Sequence, residues 1–147
     1  MTKKTTTCPH ILIAEDNPGD VMLIKKAFSQ TDFENTIHTA TDGEEAVQFL
    51  RQRNTNPEKF LPDLALLDLN MPRKDGIDVL EVMTEHPKLQ QIPVVVLTSS
   101  EATEDIMKSY NHQANAYLVK PTDFNGFVEL VDRLGEFWFK TAKLPSE

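Results

Sequence analysis

Five short apolar runs, each followed by a stretch of helical periodicity, leave this chain of 147 residues few folds to choose from. The most informative run is Leu64-Ala65-Leu66-Leu67, which ends abruptly at Asp68 and turns at Asn70-Met71-Pro72. A run with no room for charge marks a strand covered on both faces, and its end delivers Asp68 to the rim of a sheet. Residues 11–14 form a similar run that ends in the adjacent acids Glu15 and Asp16. Residues 92–97 end at Thr98, and residues 114–119 end at Lys120-Pro121. Residues 36–40 alternate more weakly, as expected of a strand nearer an edge.

The intervening segments read as helices. Asn17-Pro18 is a strong start signal, because Asn caps and Pro suits the first helical position. That helix reaches about residue 29, with Val21, Ile24, Ala27 and Phe28 on one face. Asp42-Gly43-Glu44-Glu45 predicts a turn and a capping box, Asp42 with Glu45. Ala46, Val47, Phe49 and Leu50 then point inward, and the polar residues 51–59 read as a loop. Ile77, Leu80, Val82 and Met83 mark a third helix that stops at His86-Pro87. A short helix is expected over 102–110. A last one starts near Thr122 and carries Phe127, Leu130, Val131, Leu134 and Trp138. Strand and helix alternate five times, which predicts an α/β fold: one five-stranded parallel sheet with helices on both faces. Residues 1–9 read as a flexible arm, and residues 10–147 as one domain with an extended C-terminal helix and tail.

Charge narrows the function. A formal net charge of −8 argues against a nucleic-acid surface, which needs a basic face. No apolar run approaches the roughly 18 residues of a membrane span, and the polar first residues do not lead into a signal peptide. The single cysteine, Cys8, forms no internal disulfide. These features lead to the expectation of a cytoplasmic protein that binds neither membrane nor nucleic acid.

In an open parallel sheet, ligands bind outside the carboxyl ends of the strands. Here those ends hold Glu15, Asp16, Asp68, Thr98 and Lys120. Crowded carboxylates repel one another unless a positive charge sits among them. A hard divalent cation, Mg²⁺ foremost, resolves that repulsion with oxygen ligands. Lys120 supplies a second positive charge, fixed by Pro121, a cis Lys120–Pro121 bond being one means. The set suits phosphoryl transfer, with a carboxylate as nucleophile. The plainer alternative for Asp68 alone is a strand-end residue that caps the next turn.

Glu15-Asp16, Asp68-Leu69-Asn70-Met71-Pro72 with Gly76, Thr98, Tyr117 and Lys120-Pro121 resemble the receiver domain of two-component response regulators. The resemblance covers residues 10–134 and implies the flavodoxin-like (βα)5 receiver fold. It implies Asp68 as phospho-acceptor and Mg²⁺ or Mn²⁺ held by Glu15, Asp16, Asp68 and the carbonyl of Asn70. Lys120 would pair with the phosphate, and Thr98 and Tyr117 would form the switch pair. The implied partner is a sensor histidine kinase. Asn17-Pro18-Gly19-Asp20 and the C-terminal Phe137-Trp138-Phe139 with Leu144-Pro145 are similar to the small single-domain regulators of cyanobacterial phytochromes. Three aromatics in succession point in different directions on a helix, so at least one ring is expected at the surface, favouring a homodimer interface. His10, His38, His86 and His112 show no ligand spacing and read as surface or turn residues.

Two other function classes compete. A Mg²⁺-dependent phosphohydrolase also forms an aspartyl phosphate, but it wants a second catalytic acid near the nucleophile, where position 70 is Asn. A flavodoxin-like carrier wants a hydroxyl-rich loop after the first strand, where this chain has Glu15-Asp16.

Overall fold

The computed structural model describes residues 8–56 and 58–144. Residues 1–7 of the expected arm, Pro57 of the expected loop and tail residues 145–147 lie outside the described residues. Five parallel strands form one sheet in the order β2-β1-β3-β4-β5. They are β1 (His10–Ala14), β2 (Thr36–Ala40), β3 (Leu64–Leu67), β4 (Val94–Thr98) and β5 (Ala116–Val119). Among the described residues, six α-helices connect or follow them: α1 (Pro18–Ser29), α2 (Gly43–Thr55), α3 (Gly76–Thr84), α4 (Pro87–Gln90), α5 (Thr103–Asn111) and α6 (Phe124–Gly135).

Side-chain alternation splits the core into two layers. Ile11, Ile13, Leu64, Leu66, Val95 and Leu97 face α1 and α6 through Ile24, Phe28, Phe127 and Val131. Leu12, Ala14, Ala65, Leu67, Val94 and Val96 face the opposite way, against Val47, Leu50, Leu80, Met83 and Leu89. Both faces of the central strands are therefore dry, which is why their sequences carry no alternation. Full burial of a Leu or Val contributes about 1.5–3 kcal/mol, so these strands hold the rim rigidly.

Local chemistry sets the helix boundaries. Asn17 caps α1 by accepting from the Asp20 N–H at 3.1 Å, and Pro18 occupies the first turn. Asp42 caps α2 through the Glu45 N–H, but the return half of the expected box is displaced. The Glu45 carboxylate accepts from Thr41 N–H at 2.6 Å instead. A full capping box stands at α3, between Asp75 and Asp78. Helix α2 runs on to Thr55, through residues expected to be loop. Arg53 explains part of this: its guanidinium lies 4.4 Å from the Phe49 ring centre and donates to the Phe60 carbonyl at 3.0 Å. The short α4 after His86-Pro87 was not expected.

The expected long C-terminal helix continues to Thr141 but changes type along its length. Helix α6 stops at Gly135, and residues Glu136–Thr141 continue as a π-helix. A Cβ on Gly135 would lie 2.1 Å from the Phe33 ring, so only glycine admits that ring. Phe33 in turn packs against Phe28 and Phe139 at 6.3 and 5.4 Å. Trp138 and Phe139 are thus half-buried on their own chain, and Phe137, 52% exposed, is the surface ring.

Parallel register brings two of the scattered histidines together. His38 sits opposite Leu12 and His10 opposite Thr36, which makes the two histidines diagonal neighbours. Their rings stack at 5.2 Å, with His10 Nδ1 3.0 Å from His38 Nε2. They form a half-buried pair, not separate surface residues.

Candidate functional site

The carboxyl ends of β1, β3 and β4 and the loop after β5 meet at one rim. One cavity there is lined by Glu15, Asp16, Asn17, Pro18, Asp20, Asp68, Asn70, Ser99 and Lys120. Carboxylate oxygens of Glu15, Asp16 and Asp68 lie within 4.8 Å of one another. Asp68 follows the last residue of β3, and its N–H is bound by the Ala14 carbonyl at 3.0 Å. Its backbone is therefore part of the sheet while its side chain is released to the rim. The Asn70 N–H donates to Asp68 Oδ1 at 3.3 Å.

Gly76 makes this loop possible. A Cβ there would sit 2.5 Å from the Asp68 carbonyl oxygen and 2.8 Å from Leu69 Cα. The loop is clasped from the other side by Arg73, one of two non-glycine residues with positive φ, at 69°, among the described residues. Its Nε lies 2.8 Å from Asp42 Oδ2. The Glu45 N–H and then Arg73 hold the Asp42 carboxyl below the usual carboxylate range. A Cβ on Gly43 would clash with the Lys74 carbonyl at 1.7 Å, so α2 and the loop share backbone contact.

Lys120 is the centre of the charge arrangement. Its Nζ lies 2.7 Å from Glu15 Oε1, 2.8 Å from Asp20 Oδ2 and 3.1 Å from Asp68 Oδ2. Its side chain is only 9% exposed. Burial alone would lower the ammonium's pKa, but the bonds to Asp20 and Glu15 and the Asp68 charge outweigh it and raise it. Burial pushes the Glu15 carboxyl up to about 7, the Asp68 charge adding to the effect and Lys120 opposing it. The Lys120–Pro121 bond is trans, since no described peptide bond is cis, so a cis bond is not what fixes Lys120. Two other contacts do so: the Lys120 N–H donates to the Thr98 carbonyl at 2.8 Å, and Pro121 packs against the first turn of α6 at Gly126.

Thr98 is fully buried, and its Oγ1 has no hydrogen-bond partner among the described residues. Buried hydroxyls nearly always have a partner, so Thr98 stands out among the strand-end residues. Tyr117 is half-buried on the β5 edge against the α2–α4 layer, and its hydroxyl donates to the Ser100 carbonyl at 2.9 Å. It is thereby tied to the loop that leaves Thr98.

The sequence reading missed Asp20. An acid in the first turn of a helix ordinarily reads as a complement to the helix dipole. The available signal was its place four residues after Asp16, one helical turn beyond the strand end.

The donor set fits a hard divalent cation: three clustered carboxylates, no thiol and no imidazole. Comparison with known proteins points the same way. Residues 11–132 match the response regulator receiver domain. Response regulator Rcp1 of Synechocystis sp. (strain ATCC 27184 / PCC 6803 / Kazusa) is 35% identical over 92% of each chain. The probable methanogenesis regulatory protein FilR2 of Methanothrix harundinacea (strain 6Ac) is 36% identical over 92% of this chain and 86% of its own. Among solved structures, the phosphorylated cyanobacterial phytochrome response regulator RcpA is 39% identical with a TM-score of 0.86, covering 94% of this chain and 99% of that one. The Mn²⁺-bound form of Rcp1 superposes with a TM-score of 0.82 at 35% identity, covering 93% of this chain and 99% of its own. With fold, rim chemistry and family match in agreement, the chain belongs to the response regulator receiver domain family.

Proposed function

We propose that this chain is a phospho-accepting switch in a two-component system, with Asp68 as acceptor and a sensor histidine kinase as donor. The observation that supports this best is the convergence on Asp68 of Glu15, Asp16 and the Lys120 ammonium, with the partnerless Thr98 hydroxyl at the end of the neighbouring strand β4. Glu15, Asp16, Asp68 and Asn70 would hold Mg²⁺ or Mn²⁺. When bound, that cation neutralises charge on the transferring phosphoryl oxygens.

The chain's own residues do the rest. An Asp68 carboxylate oxygen forms a bond to phosphorus while the bond from phosphorus to the donor imidazole nitrogen breaks. That nitrogen keeps the electron pair. Lys120, already 3.1 Å from Asp68 Oδ2, balances charge on a phosphoryl oxygen. Thr98 Oγ1 gains its missing partner by donating to another. Tyr117, bonded to Ser100, follows the loop after β4 and carries the change to the surface around β5. The protein catalyses its own phosphorylation and slow hydrolysis and turns over no external metabolite. A phosphohydrolase is less well supported, because position 70 offers an amide and not a second acid.

The likeness to RcpA and Rcp1 favours a phytochrome-type kinase as the donor. The surface favours a second copy of the chain as a further partner. Val119, Leu130, Leu134, Phe137 and Trp138 line an apolar groove between β5 and α6 that also holds Glu129 and Arg133. Two copies of α6 placed antiparallel set Glu129 against Arg133 twice, and among the described residues neither has an ion-pair partner of its own.

Incubation with acetyl phosphate and Mg²⁺, followed by intact mass measurement, tests the central claim. Wild type gains one phosphoryl group and Asp68→Ala gains none. Equal labelling of both would refute it. Sedimentation of wild type against Phe137→Ser tests the dimer, which the serine is expected to dissociate.

A further inference from the structure

Lys120 has three N–H donors and three carboxylate acceptors, all within 3.1 Å. Two of those acceptors have other work in the switch proposed above, on which this inference rests. Glu15 and Asp68 belong to the cluster that fits a cation, and Asp68 becomes esterified on phosphoryl transfer. Asp20 lies outside that cluster and grips the ammonium from the helix side. It stands in the first turn of α1, where its N–H is held by Asn17 Oδ1 and Pro18 fixes the backbone. Its side chain is 25% exposed, so it lines the mouth of the cavity.

We propose that Asp20 is a positioning residue: it keeps Lys120 at the phosphoryl site when the Glu15 and Asp68 oxygens turn elsewhere. A lysine stem has four rotatable bonds and considerable rotamer entropy. With two of its three anchors withdrawn, the ammonium is free to swing to water unless Asp20 holds it. In transfer from acetyl phosphate, Asp68 oxygen bonds to phosphorus, the bond from phosphorus to the acetate oxygen breaks, and acetate leaves with the electron pair. Lys120 must stay within reach of the phosphoryl oxygens through that step, and Asp20 is the residue that keeps it there.

Two measurements on the full chain test this, with Asp20→Ala and Asp20→Asn beside wild type. The first is the rate of phosphoryl uptake from acetyl phosphate at saturating Mn²⁺. The alanine is expected to slow it about tenfold, the scale of a lost supporting bond. The asparagine, whose amide oxygen accepts the same hydrogen bond, recovers most of the rate. The second needs no turnover: acetic anhydride labelling of Lys120, followed by peptide mass, with Mn²⁺ present. Lys120 is expected to label several-fold faster in Asp20→Ala and near wild-type rate in Asp20→Asn. Uptake in the alanine variant equal to or faster than wild type would show Asp20 to be merely a repelling charge. Equal impairment of both variants, or unchanged labelling, would likewise overturn the assignment. If wild type takes up no phosphoryl group, the switch itself fails, and the labelling still judges the grip on Lys120.

Discussion

Replacing Thr98 with valine separates what the resting fold wants from what the switch wants. The residue is fully buried and its hydroxyl has no partner among the described residues. Leaving a buried hydroxyl unpaired costs about 1–3 kcal/mol, and valine has the same shape without that group. The Thr98 carbonyl still accepts from Lys120 N–H, so the backbone loses nothing. Thr98→Val is therefore expected to stabilise the metal-free protein by about 1–2 kcal/mol. For a chain of this size that raises Tm by about 2–4 °C per kcal/mol. The urea midpoint is expected to rise by about 0.5–1 M with an unchanged slope. The same variant is expected to give back that gain once Asp68 is phosphorylated, because the phosphoryl oxygen then lacks its donor. Urea titrations with and without acetyl phosphate and Mg²⁺ measure both halves. A lower midpoint for the valine variant in the metal-free protein would refute the reasoning, since it would mean that the hydroxyl is already bonded at rest.

Three further changes address other parts of the argument. Gly76→Ala puts a methyl group against the Asp68 carbonyl and Leu69 Cα, both backbone, so no rotamer change relieves it; phosphoryl labelling by intact mass is expected to collapse, with a fall in Tm. Gly135→Ala drives Phe33 off the α6 backbone and is expected to cost about 1–3 kcal/mol in urea titration. Burial, then Arg53 and His10, lower the His38 pKa from its ordinary 6.5, so protonation favours the unfolded chain. Stability from neutral His38 is complete above pH 6.5 and is lost as pH falls below it; His38→Gln is expected to flatten the decline in urea midpoint between pH 7.5 and 5.5.

The sequence exposed the sheet because physics left it no disguise. Leu64 to Leu67 alternate between two dry layers, so every position must be apolar. Glu15, Asp16, Asp68, Thr98 and Lys120 were legible for the same reason, as polar residues at the ends of such runs. What stayed hidden depends on register or on packing between distant segments. His10 and His38 meet only because β1 and β2 pair with a particular offset. Asp42 and Arg73 lie 31 residues apart, and neither position announces the other. The end of α2 was misjudged because its last turns are polar all round, held by Arg53 stacking on Phe49 and not by an apolar stripe. The fit of Gly135 against the Phe33 ring is a contact across 102 residues that periodicity cannot encode.

The charge pattern at the rim explains why such a site can rest and still respond. Four carboxylates face one buried ammonium, and that ammonium already uses every donor it has. The Lys120 ammonium sits between Glu15 and Asp68 and offsets the repulsion between them. The contacts that make the resting state tolerable are therefore the ones that activation must exchange. In the proposed switch, Lys120 trades a carboxylate for a phosphoryl oxygen, and the Thr98 hydroxyl gains a partner. Only the Lys120 exchange is like for like, a carboxylate oxygen for a phosphoryl oxygen; the Thr98 contact is a net gain on phosphorylation. A switch biased by a single covalent phosphoryl group requires two states near balance. A rim with a spare unpaired lysine, or with Thr98 already satisfied, would bind phosphate as readily but would have less reason to change shape when it did.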